Sequence, residues 1–281
     1  MNDEVVSFDE VKGIVNIVLA EDIGKGDITS KISLPKHTTL KVSMIARERL
    51  IVCGVPIVLE ILKRLVPDAI LSIHKEDGSE VLEGHSIISV EGKAEGILTA
   101  ERCALNLIQF LSGIATLTRE FVTALNGTKV QLLDTRKTIP GLRLLSKYAV
   151  KCGGGTNHRM RLDDGILIKD NHIFAAGGIY SAVKMAKLGN SSGFPIQAEC
   201  DSLEQVKQAL EAGADSLLLD NMSVENLKQA VEIVGGRIPL EASGGITKKT
   251  IRTIALTGID YISVGAITQK APAVDIGMDT I

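Results

Sequence analysis

Residues Pro195–Gly245 read PIQAECDSLEQVKQALEAGADSLLLDNMSVENLKQAVEIVGGRIPLEASGG. Three short apolar runs stand out in it: Pro195-Ile-Gln-Ala-Glu199, Ser216-Leu-Leu-Leu-Asp220 and Pro239-Leu-Glu-Ala-Ser243. Each ends on a polar or acidic residue. Between them lie Ser202–Ala212 and Val224–Val234, with apolar positions at helical spacing. Strand, helix, strand at this period is the βα repeat of a parallel sheet. The pattern extends outward. Val130-Gln-Leu-Leu-Asp134 and Gly165-Ile-Leu-Ile-Lys169 precede it, and a helical stretch Lys248–Thr257 and the run Asp260-Tyr-Ile-Ser-Val-Gly265 follow. The repeat count and the short strands favour a barrel over an open doubly wound sheet, and no Gly-rich dinucleotide fingerprint follows the first strand.

Before residue 126 the pattern differs. Ser7-Phe-Asp-Glu10 reads as a capping box opening a helix through Val11, Ile14, Val15 and Val18. Thr39–Val52 alternates at Leu40, Val42, Met44 and Ala46 in the manner of a half-buried strand. Ile70–Ile73 and Ile87–Val90 read as further strands. Ala100–Leu125 reads as a long amphipathic helix or a helix pair broken near Gly113. The expected division is an N-terminal α+β domain over 1–125 and a barrel domain over 126–271.

Bulk composition narrows the function. The 281 residues are 45% hydrophobic and 23% charged, an ordinary globular balance. A net charge of −3 and only 3% aromatic residues, none of them Trp, speak against a nucleic-acid binder. The charge-free stretch Cys103–Thr118 spans 16 residues and includes Asn, Gln, Ser and Thr, too short and too polar for a membrane span. The acidic N-terminus shows no signal peptide. Cys53, Cys103, Cys152 and Cys200 each lie about fifty residues from the next, a spacing read as reduced thiols of a cytoplasmic protein.

Reactive groups in a parallel α/β barrel collect where strands end. Those ends carry Asp134, Thr135, Arg136 and Lys137; Lys169, Asp170 and Asn171; Glu199; Asp220 and Asn221; Ser243, Gly244 and Gly245; and Gly265 with Ala266. Charges flush against apolar strands are costly unless paired or used. From Arg136 to Lys169 eight basic residues face only two acids, Asp163 and Asp164, with His158 and glycines 153–155 in the same stretch. That concentration suits a polyanionic small molecule, Arg gripping carboxylates and Lys acting as a point charge. Ser243-Gly244-Gly245 and Gly265-Ala266 read as a phosphate cradle, to which a following helix start would add its dipole. Glu199 and Asp220, hard oxygen donors without Cys or His beside them, suit Mg²⁺ shared with substrate phosphates, or ion pairs with Lys137 and Lys169.

At these residues the chain resembles the quinolinate phosphoribosyltransferases. The matching segments are Glu21–Asp27, Glu101–Asn106, Asp134–Gly141, Lys147–Arg159, Ile166–His172, Leu219–Asn221, Glu241–Gly245 and Asp275–Gly277. The resemblance implies an incomplete parallel α/β barrel with an N-terminal α+β open sandwich domain, to which the tail 272–281 returns. It implies transfer of phosphoribosyl from phosphoribosyl pyrophosphate to quinolinate with decarboxylation, as in NAD biosynthesis. By that likeness Arg136, His158, Arg159 and Lys169 line the quinolinate site, Thr135 binds substrate beside them, and Arg102 reaches in from a second subunit of a homodimer, with a hexamer as a further assembly. Lys137, Glu199 and Asp220 face phosphoribosyl pyrophosphate and Mg²⁺, Ser243, Gly244, Gly245, Gly265 and Ala266 hold the 5′-phosphate, and Val264 is a further substrate-binding residue. Catalysis falls to Lys137, Lys169, Glu199 and Asp220. Ala242 stands where many relatives carry Ser. Two alternatives are a molybdenum-transport-associated homologue with another substrate and a non-catalytic ligand-binding barrel. Lys147–Val150 followed by Asn157-His158-Arg159 favours the quinolinate enzyme over the first. Lys137, Lys169, Glu199 and Asp220 together speak against the second.

Overall fold

The computed structural model describes residues 8–191 and 193–281. Ser7, the first residue of the expected capping box, lies outside them. In chain order the first elements are α1 (Phe8–Ile23), α2 (Ile28–Ser33), β1 (Thr39–Ala46), β2 (Leu50–Ile51), α3 (Val55–Leu65), β3 (Ile70–Ile73), β4 (Glu80–Val81), β5 (Ser86–Lys93) and α4 (Ala94–Ala124). Then come β6 (Gln131–Leu133), α5 (Arg143–Gly153), β7 (Ile166–Ile168), α6 (Asp170–Ala175), α7 (Ile179–Gly189), β8 (Ile196–Cys200) and α8 (Leu203–Ala212). The last are β9 (Ser216–Asp220), α9 (Val224–Val234), β10 (Leu240–Ser243), α10 (Ile251–Ala255), β11 (Tyr261–Ser263), α11 (Ala266–Gln269) and β12 (Ile276–Thr280).

Two compact units result. One comprises residues up to Arg119, Thr138–Gly154 and Ile267–Ile281; the other comprises Glu120–Lys137 and Gly155–Ala266. A single cut at 125/126 therefore does not describe the division, because α5, which the sequence places between two barrel strands, packs with the N-terminal elements. The reason is local: a Cβ on Gly153, at the end of α5, would stand 2.5 Å from Thr118 Cβ and 2.6 Å from the Ala115 carbonyl oxygen, so α5 lies directly on α4 where only glycine fits.

The first unit is built on the antiparallel sheet β12-β1-β5-β3. β1 pairs with β5 on one side and with the tail strand β12 on the other. Val42 and Met44 are buried as the alternation predicts, but Ser43 between them is buried too. Its hydroxyl donates to the Ile88 carbonyl at 3.2 Å and accepts from Ser89 at 3.1 Å, so burying it leaves no polar atom unpaired. α4 is one helix, not a pair: Gly113 does not break it. A Cβ there would lie 2.0 Å from the Pro272 carbonyl oxygen. The glycine serves close approach of the returning chain, at a cost of about 1 kcal/mol in helix propensity.

The second unit is a six-stranded parallel sheet in the order β6-β11-β10-β9-β8-β7. From β7 to β11 each βα step lays its strand beside the previous one. β6, the first strand, pairs with β11 rather than with β7. The sheet is thus a barrel left open between its first and second strands, whereas a doubly wound sheet would reverse its order at a switch point. Leu217, Leu218 and Leu219 of β9 are all buried, as expected of a strand covered on both faces. Ser202 and Ser223 cap α8 and α9 by accepting from the N–H groups of Gln205 and Asn226, and Gly213 and Gly235 end them in left-handed conformation. The expected Lys248–Thr257 helix shrinks to the five residues of α10. Among the described residues no helix is long and apolar enough to cross a membrane.

Candidate active site

The strand ends of the second unit surround a cavity of about 380 Å³, a size that suits a small ligand. Thr135, Arg136, Lys137, His158, Arg159, Lys169, Glu199, Asp220 and Ser243 line it, all nine named from the sequence. Leu167, Leu218, Glu241 and Ser263 complete the lining.

The loop after β6 is tied to the His158 segment by Asp134, which is fully buried. Its carboxylate accepts from Asn157 Nδ2 at 2.6 Å and from the His158 N–H at 2.8 Å. Leu133 and Thr156 form an isolated parallel bridge alongside. This places Arg136 and Arg159 near enough to repel. Burial and then the charge of Arg136 hold the Arg159 guanidinium below its ordinary pKa, with Asp164 opposing. Arg159 Nη1 donates to the Gly165 carbonyl at 2.8 Å. Arg136 Nε is buried and has no hydrogen-bond partner among the described residues. A pair of crowded guanidiniums with an unmet donor is a site prepared for an anion.

The same cavity is lined by a carboxylate that the strand-end pattern does not single out. Glu241 on β10 is 2% exposed. Its Oε2 accepts from Gln197 Nε2 at 2.8 Å and lies 3.4 Å from His158 Nε2. Its Oε1 is buried and has no hydrogen-bond partner among the described residues. Burial works to raise its pKa, but the hydrogen bond and charge of His158, with Ser263 and Gln197 behind them, outweigh that and hold the carboxyl below 4.5. His158 is fixed from both sides, since its Nδ1 lies 2.7 Å from the Arg159 backbone N–H, which donates to it.

On the other wall Lys169 Nζ meets Glu199 Oε2 at 2.9 Å, one of the ion pairs the sequence offers as an alternative to a metal. Asp220 Oδ2 accepts from Asn221 Nδ2 at 2.6 Å. Glu199 and Asp220 also line a second cavity of about 350 Å³ with Asp170 and Asp201, so the two carboxylates stand between a cationic space and an acidic one.

The glycine turn is a close approach. Gly244 has φ +94°, and a Cβ there would lie 2.2 Å from Asn221 Oδ1. Asn221 itself has φ +53°, and its N–H donates to the Ser243 carbonyl at 2.9 Å. Gly245 has φ +60° with open space around it, and a Cβ on Gly265 would stand 3.0 Å from Lys137 Cδ. The expected dipole of a helix directly after the Ser-Gly-Gly turn is not there: α10 starts six residues beyond Gly245 and spans five. Ala266 opens the four-residue α11. Val264 is buried and its N–H is committed to the Leu133 carbonyl at 3.0 Å. Of the expected phosphate residues Ser243 alone lines the cavity, and the others follow it at the ends of β10 and β11. Arg102 lies in the first unit, exposed on α4, and is not among the lining residues.

Comparison with known proteins agrees with this reading. Residues 27–112 match the model for the quinolinate phosphoribosyl transferase N-terminal domain, and residues 114–279 match that for its C-terminal domain. The chain is 41% identical over 270 residues to a probable nicotinate-nucleotide pyrophosphorylase [carboxylating] of Bacillus subtilis, covering 96% of this chain and 93% of that protein. It is 40% identical over 278 residues to the nicotinate-nucleotide pyrophosphorylase [carboxylating] of Mycobacterium leprae, covering 97% and 98%. The solved nicotinate-nucleotide pyrophosphorylase of Francisella tularensis superimposes with a TM-score of 0.93 at 42% identity over the whole of both chains. With both domains matched and the barrel mouth carrying the residues expected of it, the chain belongs to the quinolinate phosphoribosyltransferase family.

Proposed function

We propose that this chain is a pentosyltransferase that joins quinolinate to phosphoribosyl pyrophosphate, releasing pyrophosphate and carbon dioxide and giving nicotinate mononucleotide for NAD biosynthesis. The observation that carries this is the crowded pair Arg136 and Arg159, with the unmet Arg136 Nε, across one cavity from Glu199 and Asp220. The guanidiniums hold the pyridine dicarboxylate and orient its ring nitrogen toward the sugar, which is chiefly a positioning contribution. As pyrophosphate departs, positive charge grows on the ribose. Glu199 and Asp220 stabilise that charge, and Lys137 offsets the charge of the leaving oxygens. The ring nitrogen, once alkylated, makes loss of the adjacent carboxylate easier by stabilising the carbanion left on the ring. Backbone N–H groups of Ser243–Gly245 and Gly265–Ala266 take the 5′-phosphate, while Val264, whose own N–H goes to the Leu133 carbonyl, holds the end of β11 in place.

The donor set fits Mg²⁺: hard carboxylate oxygens of Glu199 and Asp220, set beside Asp170 and Asp201. These residues would hold it together with substrate oxygens, and when bound it would neutralise the pyrophosphate. Lys169, which pairs with Glu199 at 2.9 Å, would lend its charge to the quinolinate carboxylates. We place the enzyme in the cytoplasm as a homodimer, with Arg102 of each subunit completing its neighbour's site and a hexamer as a further assembly.

Purified protein with quinolinate, phosphoribosyl pyrophosphate and Mg²⁺ should form nicotinate mononucleotide and carbon dioxide in equal amounts. Absence of product with either substrate varied, in protein shown to be folded, refutes the reading. Sharing between subunits is tested by refolding Arg102→Ala and Lys169→Ala together. Each alone should be nearly inactive, and random pairing should restore roughly a quarter of all sites. A mixture as inactive as its parents, with hybrid dimers demonstrated, places Arg102 outside the neighbour's site.

A further inference from the structure

Apart from the cavity, the first unit brings together two thiols from distant parts of the sequence. Cys53, just before α3, is fully buried, and Cys152, in the last turn of α5 and ninety-nine positions further along, is partly exposed. Their Sγ atoms and a carboxylate oxygen of Asp77 all lie within 4.8 Å of one another. Three such groups raise the question of a metal, but Asp77 is already engaged. Its Oδ1 accepts from the N–H groups of Gly54 at 3.0 Å and Val55 at 2.9 Å, and its Oδ2 from Gly54 at 3.0 Å and the Tyr148 hydroxyl at 2.8 Å. The carboxylate closes the start of α3. That leaves two sulfurs, too few for a tetrahedral site. Two facing thiols can, however, bond to each other.

We propose that Cys53 and Cys152 form a dithiol that peroxides oxidise to a disulfide, stapling the last turn of α5 to the start of α3. The Cys152 thiolate attacks the O–O bond of the peroxide, forming a sulfenic acid and releasing hydroxide. Cys53 sulfur then attacks the sulfenic sulfur, the S–S bond forms, the S–O bond breaks and water leaves. Two thiols lose two electrons and two protons, and hydrogen peroxide becomes two waters.

The surroundings set the two roles. The hydrogen bond from the Cys53 thiol lowers the Cys152 pKa below its ordinary 9.0, and the Tyr148 hydroxyl adds to this against burial and the charge of Asp77. Burial pushes the Cys53 thiol well up. Cys152 is therefore the attacking sulfur and Cys53 the resolving one. Burial also pushes Cys103 up to about 11 and Cys200 up to about 12, which keeps both out of the reaction. Closing the bond to about 2.05 Å asks for a side-chain rotation at the helix end.

The test treats reduced protein with a small excess of hydrogen peroxide, alkylates it under denaturing conditions and maps the peptides by mass spectrometry. Free thiols should fall from four to two, with a Cys53–Cys152 linked peptide as the product. Cys53→Ala should stop at a Cys152 sulfenic acid that dimedone traps, and Cys152→Ala should consume peroxide about tenfold more slowly. Oxidised wild type should also resist urea better than reduced wild type, because the bond closes a long loop. A thiol count that stays at four, a link between chains, or equal oxidation of Cys103 or Cys200 overturns the proposal. If an alanine variant does not fold, the wild-type peptide map decides alone.

Discussion

Replacing Glu241 by Gln keeps the side chain's shape and removes its charge. The folded-state pKa of Glu241 lies below 4.5, so its ionised form adds stability that is present above the unfolded value and is lost as pH falls through the lower folded one. Gln has no such titration. The difference in unfolding free energy between wild type and Glu241→Gln should stay level from about pH 7 to about pH 5.5. Below about 4.5 it should move against wild type, by no more than about 1.4 kcal/mol per pH unit for one proton. At neutral pH two effects oppose. The variant exchanges charge-assisted bonds from Gln197 and His158, worth about 1.5–3 kcal/mol, for a neutral one worth about 1. It also relieves the desolvation of a carboxylate whose Oε1 has no partner, about 1–3 kcal/mol. The net stability change should be within about 2 kcal/mol of zero. Substrate binding has no such compensation. The contact at His158 Nε2 loses its charge, leaving neutral acceptors such as Gln197 Oε1 at 3.2 Å, and the Arg159 backbone leans on His158 Nδ1. The KM for quinolinate should rise about tenfold, equivalent to about 1.4 kcal/mol, while that for phosphoribosyl pyrophosphate stays within about twofold. Urea melts across pH and steady-state kinetics measure both. Parallel acid limbs for the two proteins, or an unchanged KM for quinolinate, would refute the role given to Glu241.

The same geometry makes three further demands. Nicotinate, with one carboxylate, leaves one guanidinium of the site unmet at a cost of about 2–5 kcal/mol, so its kcat/KM should fall at least about thirtyfold below that of quinolinate; equal turnover in a side-by-side assay would end that argument. Glu199→Gln or Asp220→Asn should raise the Mg²⁺ requirement or abolish turnover with the fold intact by circular dichroism, and wild-type rates across a Mg²⁺ titration would remove both from the metal site. Gly244→Ala places a Cβ 2.2 Å from Asn221 Oδ1 at φ +94° and should cost about 2 kcal/mol or more in urea melts, with a raised KM for phosphoribosyl pyrophosphate. Wild-type stability there would mean that Asn221 turns away freely.

How far the fold was legible follows from which forces are local. The βα repeats were readable because strand and helix periodicities, Ser caps and Gly ends all sit within a few residues of one another in sequence. The β6–β11 pairing and the gap beside β7 depend on a closure between distant segments. The repeat count favours a barrel, but only the resemblance implies that it is incomplete. Gly113 shows the limit from the other side. Read locally it is a helix breaker, and it is retained because Pro272, far away in the chain, presses on it. The length of α10 could not be read either, since Lys248–Thr257 has helical spacing but hydrogen-bonded turns at Thr247 and Thr250 take up its start.

For the site, the strand-end rule found the outer ring and missed the layer beneath it, although a period of two was there to read. In β8, Ile196, Ala198 and Cys200 are buried while Gln197 and Glu199 share the other face. Leu167 and Lys169, Leu218 and Asp220, and Glu241 and Ser243 stand in the same relation, two residues apart on one face, and each of these pairs lines the cavity. Register then joins the strands sideways: Leu167 is level with Gln197, Glu199 with Leu218, and Leu218 with Glu241. Of the residues two positions before these strand-end groups, Leu167, Leu218 and Glu241 line the cavity floor, and Gln197 is level with Leu167. Two of these under-layer residues, Leu167 and Leu218, are apolar. Gln197 and Glu241 are polar, and they are the ones that hold His158. An under-layer group that is polar in a covered barrel needs a partner. Here the partner is a side chain of the upper ring, so the polar exceptions in the lower layer mark where the upper one is held in place.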